Sequence, residues 1–148
     1  MNHTMHSLTL ALGLALTAIV PQAMSAAVAG PKGGRLLEAA PARAEFVVTP
    51  EHRVAIHFYD ESLQPVAPTS QVVAVTAEAP GGRTTLAMEK TADGFFSREP
   101  LPDGAPYRVV VQVRPAAGEK PQNFRIDLNL EVCGGCSRAE YACTCEGH

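Results

Sequence analysis

The chain has 148 residues, a net charge of −3, no tryptophan and only 5% aromatic residues. That length gives one domain with a real core. The mildly acidic balance, with no basic cluster, argues against nucleic acid as a partner.

Leu8 to Val20 is an apolar run of signal-peptide length, too short to span a bilayer as a relaxed helix. Small residues follow at Ala23, Ser25, Ala26, Ala27 and Ala29. Residues 1–27 are therefore expected to be a signal peptide cleaved after Ala27. The leader departs from the usual pattern in one respect: only His3 and His6, and no Lys or Arg, precede the apolar run. The expectation is a periplasmic or secreted protein with no membrane attachment once the leader is removed.

Residues 28–44 read as a Gly/Pro-rich arm. Gly30, Pro31, Gly33, Gly34 and Pro41 surround the apolar pair Leu36-Leu37. The Gly-Pro-Lys-Gly-Gly-Arg stretch suits a turn or a backbone anion nest, and the composition alone suits a flexible arm.

Residues 45–132 read as all-β. Strands are expected at 46–48, 53–58, 71–79, 83–90, 95–97, 107–114 and 124–132. Proline, glycine and Asp93-Gly94 signals lie between them. Val54, Ile56 and Phe58 alternate inward, as do Tyr107, Val109, Val111 and Val113, and Leu86 and Met88 are assigned to the core. The last strand is the clearest, because Phe124, Ile126, Leu128, Leu130 and Val132 alternate with polar residues without a break. Short strands with turn signals about every ten residues predict an immunoglobulin-like or fibronectin-like β-sandwich of about seven strands.

Residues 133–148 form a tail that holds every cysteine: Cys133, Cys136, Cys143 and Cys145, spaced Cys-x2-Cys-x6-Cys-x-Cys. Gly134-Gly135 is expected to turn the backbone with positive φ, and Ser137 to Tyr141 to make a helical turn that brings the second pair back to the first. Four soft thiolates suit Zn(II) in a closed tetrahedral shell, or Cu(I) on two or three sulfurs. An even cysteine count in an exported chain equally suits disulfides. Nested pairing, Cys133 with Cys145 and Cys136 with Cys143, would avoid the strain of the smallest rings. The sequence leaves both readings open. A thioredoxin-type role is disfavoured, since its Cys-x2-Cys pair opens a helix and no helical period appears here.

Outside the tail, His52 and His57 are expected on opposite faces and so not on a shared metal. His57 should point to solvent between Ile56 and Phe58. His148 is read as a solvated terminal residue, and Glu51, Asp60 and Glu61 as solvated turn residues. No nucleophile-elbow, phosphate-loop or zinc-protease motif occurs. No catalytic or cofactor-binding residue is assigned, and the protein is not expected to be an enzyme.

The Gly30-Pro31-Lys32-Gly33-Gly34-Arg35-Leu36 stretch, the β-rich middle and the Cys-Gly-Gly-Cys plus Cys-x-Cys tail resemble small exported proteins that accompany heavy-metal efflux systems of Gram-negative bacteria. A similar Gly-Pro-x-Gly-Gly stretch occurs near the start of some periplasmic adaptor subunits of metal-exporting pumps. This chain departs from those adaptors, being short and without a coiled-coil segment. The resemblance implies periplasmic metal handling beside an efflux-pump component, with the four cysteines as ligands.

Overall fold

The computed structural model describes residues 27–145; the expected signal peptide, apart from Ala27, and His148 lie outside the described residues. Eleven strands follow in order: β1 (Val28–Ala29), β2 (Arg35–Leu37), β3 (Arg43–Val48), β4 (Val54–Tyr59), β5 (Pro65–Val66), β6 (Val72–Ala79), β7 (Gly82–Leu86), β8 (Met88–Thr91), β9 (Gly94–Ser97), β10 (Tyr107–Arg114) and β11 (Gln122–Leu128). They form two antiparallel sheets. One runs β1-β2-β3-β4-β9-β8 with β5 beside β4, and the other runs β11-β10-β6-β7.

The period-two pattern sets the core. In β10, Tyr107, Val109, Val111 and Val113 are buried while Arg108 is exposed. Val109 pairs with Ala77 of β6 and Ile126 of β11, so apolar side chains line up across three strands. Phe46, Val54, Ile56 and Phe58 face them from the other sheet, in one apolar cluster. Each such fully buried aliphatic or aromatic side chain contributes about 1.5–3 kcal/mol relative to exposure. Tyr107 donates its hydroxyl hydrogen to the Pro102 carbonyl at 2.6 Å and so ties the start of β10 to the loop before it.

Two expectations change. The strand expected over 83–90 is two strands that break at Ala87, with β7 in one sheet and β8 in the other. Leu86 is buried and Met88 partly so against the same core, because both sheets present that side inward. The arm expected over 28–44 is also not an arm. β1 and β2 pair antiparallel, and β2 joins the edge of β3.

The cause is Glu45, whose side chain is 0% exposed. Its Oε1 accepts hydrogen bonds from the backbone N–H of Lys32 (3.0 Å) and Gly34 (2.8 Å), and its Oε2 accepts from the Tyr59 hydroxyl (2.7 Å). The 30–34 segment thus takes the turn that the sequence allowed beside a flexible arm, and its N–H groups close on the chain's own Glu45 side chain. Gly30 is required there, since a Cβ would overlap the Glu45 carboxyl group. Burial, and then the bond to Glu45, push the Tyr59 hydroxyl well above its ordinary pKa, so it stays a donor.

Candidate metal centre

β11 stops at Leu128, four residues short of the strand expected to run through Val132. Asn129 ends it: its side-chain oxygen accepts the Glu131 N–H (3.0 Å), a local turn that competes with the ladder. The Asn129 and Glu131 carbonyls then accept from Tyr141 N–H (3.1 Å) and Glu140 N–H (2.8 Å). Val132, expected in the core, is instead 71% exposed and bridges Ala139. Leu130 still packs against the core. The cysteines therefore sit on a folded-back loop rather than on the end of a long strand.

The first pair lies in a tight turn. Cys133 N–H donates to the Arg138 carbonyl (2.7 Å), and the Cys133 carbonyl accepts from Ser137 N–H (2.9 Å). The positive φ expected at Gly134-Gly135 falls on Ser137 instead, at 57°. Gly135 is needed for a different reason. A Cβ there would stand 2.7 Å from the Cys145 sulfur, whereas one at Gly134 would meet nothing within 4 Å.

The second pair is positioned by a single 3-10 turn at Glu140–Ala142, later and shorter than the helical turn expected over Ser137 to Tyr141. Tyr141 is buried, with its ring edge-on to Phe46 (centroids 5.5 Å apart, 88°). Its hydroxyl oxygen accepts the Val48 N–H at 3.0 Å. Cys143 follows two residues later, so a core side chain fixes where that sulfur lies.

The result is one cluster. The four cysteine sulfurs all lie within 4.8 Å of one another. Cys133–Cys145 is 3.9 Å, Cys136–Cys143 is 3.7 Å and Cys133–Cys143 is 3.0 Å. Zn–S bonds of about 2.3 Å place tetrahedral sulfurs about 3.8 Å apart. Two of these separations already match, and the third has to open by about 0.8 Å to reach that value.

The electrostatics suit a cation. Backbone N–H groups of Arg138 and Thr144, with the neighbouring thiols of Cys143 and Cys133, stabilise the Cys136 thiolate against the cost of burial and lower its pKa to about 6. The hydrogen bond to Cys133, together with burial and the other two sulfurs, raises Cys143 to about 12, although the Cys145 N–H works the other way. For Cys145 the bond with Cys143 lowers the pKa, but Cys133, burial and Cys136 together raise it further, and the net shift is upward. Sulfurs this close cannot all ionise until a positive ion joins them.

Among the described residues, no other set of three or more His, Cys, Asp or Glu side chains brings its ligand atoms this close. His57 lies on the outer face as expected. Its Nδ1 is 2.9 Å from the Asp93 carbonyl oxygen, and its ring packs edge-on to Phe96. His52 is exposed in the β3–β4 turn at φ 57°. Two contributors escaped the sequence reading: Glu45 as the side chain that fills the 30–34 turn, and Tyr141 as an anchor. The only signal for Tyr141 was an aromatic residue inside an otherwise polar tail.

The chain matches no family model, no curated protein and no solved structure. Function is therefore read from the site.

Proposed function

We propose that this is an exported soft-metal-binding protein that holds one ion on Cys133, Cys136, Cys143 and Cys145. The observation that carries this reading is the convergence of four thiols within 4.8 Å. The ion is Zn(II) or Cu(I). Four sulfurs favour Zn(II), which fills a tetrahedral shell, whereas Cu(I) would use two or three of them. The protein supplies binding and no catalysis.

Export is supported by the apolar leader Leu8–Val20 and the small residues after it. A place beside a metal-efflux pump is supported only by the resemblance of the Gly30–Leu36 stretch and the cysteine tail to proteins found with such systems. An immunoglobulin-like or fibronectin-like sandwich is supported by the four-strand order β7-β6-β10-β11. The Tyr107 hydroxyl bond to a carbonyl five residues upstream adds to this, since such a tyrosine corner recurs in that architecture.

The test is a metal-to-protein ratio with a thiol count, on protein purified from the native compartment without reductant. One zinc or copper per chain, with four thiols titrating after denaturation with a chelator, is the expected result. No metal and no thiols after denaturation would overturn it. That outcome would support the second reading, a disulfide-stapled interaction module, for which one observation speaks: the nested partners Cys133/Cys145 and Cys136/Cys143 already lie 3.9 and 3.7 Å apart.

A further inference from the structure

The four sulfurs are not equivalent. Cys133 is 1% and Cys143 6% exposed, while Cys136 and Cys145 are only half-buried. The buried pair is built into the framework. Cys133 is held by its N–H bond to Arg138 beside the Val132–Ala139 bridge, and Cys143 by its N–H bond to Glu140 directly after the core residues Tyr141 and Ala142. The other pair lies further from these anchors: Cys136 is inside the turn, and Cys145 is beyond the last hydrogen-bonded residue of the 3-10 helix. The neighbour across from the Cys145 sulfur is Gly135, and any side chain there would press on that sulfur. Each chain segment thus contributes one anchored and one accessible ligand, in the order buried, accessible, buried, accessible.

We propose that the ion is handed over through the Cys136–Cys145 side of this site, to an acceptor bearing thiolates, while Cys133 and Cys143 hold it to the end. This rests on the metal-binding reading above and says that the ion is cargo rather than a permanent staple. The step is ligand exchange. An acceptor thiolate bonds to the ion from the accessible side, the bond to Cys145 or Cys136 breaks, and the departing sulfur takes up the proton that the acceptor thiol released. The metal's oxidation state does not change. A fully covered tetrahedral site offers an incoming sulfur no such approach, because the ion must briefly take a fifth ligand.

The test uses the protein loaded with zinc and mixed with dithiothreitol as the acceptor, with retained zinc measured against time. The transfer rate is expected to rise in proportion to dithiothreitol. Cys145→Ser and Cys136→Ser should each still carry zinc and release it about tenfold faster, the equivalent of about 1.4 kcal/mol. Cys133→Ser and Cys143→Ser should fail to retain zinc. Because a serine variant can misfold, the zinc-loaded wild type is also alkylated with iodoacetamide and mapped by mass spectrometry, with Cys136 and Cys145 expected to react first. A rate independent of dithiothreitol, or alkylation with no preference between the pairs, overturns the handover while leaving the metal site standing. A reduced protein that takes up neither zinc nor Cu(I) overturns both.

Discussion

Cys143, raised to about 12, and Cys145, also raised, are both protonated at pH 7, so a metal must displace at least those two protons to bind four thiolates. Protons and metal compete, so affinity falls as pH falls. From pH 7.5 to 6.5 the apparent affinity should drop about a hundredfold or more, at two decades per unit for two protons. Below about pH 6 the Cys136 thiolate also becomes protonated and the slope steepens. Competition titration against a chelator of known affinity measures this, and a flat profile would mean that fewer sulfurs bind. Gly135→Ala should weaken metal binding about tenfold by pressing on the Cys145 sulfur, while Gly134→Ala should change it little. Glu45→Ala should leave the metal site formed but destabilise the fold by about 3 kcal/mol in urea titration, because the Gly34 N–H and Tyr59 hydroxyl lose a buried acceptor.

Tyr141 is the largest side chain that docks the tail on the core, beside Ala142, Leu130 and Ala139. Without that side chain, the segment after Leu128 keeps one bridge, a few turn bonds, the small apolar contacts of Leu130, Ala139 and Ala142, and two buried cysteines to order it. Tyr141→Phe should cost about 1 kcal/mol, since the Val48 N–H loses its partner. Tyr141→Ala should cost about 3–5 kcal/mol through the cavity it leaves against Phe46. It should also weaken metal binding where Tyr141→Phe does not, because the ring, not the hydroxyl, places Cys143. Thermal unfolding with and without zinc separates the two effects. At this scale the sequence was legible where one rule dominates. The alternation of Tyr107 to Val113 fixed β10, since a strand with one wet face allows no other register. The same rule overran at Val132, because the Asn129 side chain accepts the Glu131 N–H and alternation does not register such a turn.

Across the whole molecule, metal and fold are linked: whatever binds the native site and not the unfolded chain stabilises the protein. At a free-metal concentration a hundred times the Kd, the gain is about 2.7 kcal/mol, or about 10 °C in Tm for a domain of this size. A chelator should reverse it. Cys143→Ser should show no zinc-dependent shift in calorimetry, and an equal shift in that variant would place the ion elsewhere.

The sequence by itself determined that the chain is all-β, which residues of β4 and β10 line the core, and that four cysteines are the one concentration of ligand chemistry. Period-two alternation and ligand type are local properties, readable from neighbours along the chain. Only the tertiary structure decided that the Gly-rich segment is a sheet edge clamped on Glu45, that the strand after Leu86 changes sheets, and that the two cysteine pairs meet at one point. Each of these depends on partners far apart in sequence: Gly34 with Glu45, Val48 with Tyr141, and Cys133 with Cys145. Such contacts follow from how the two sheets stack and where the tail folds back, and no spacing rule along the chain encodes that.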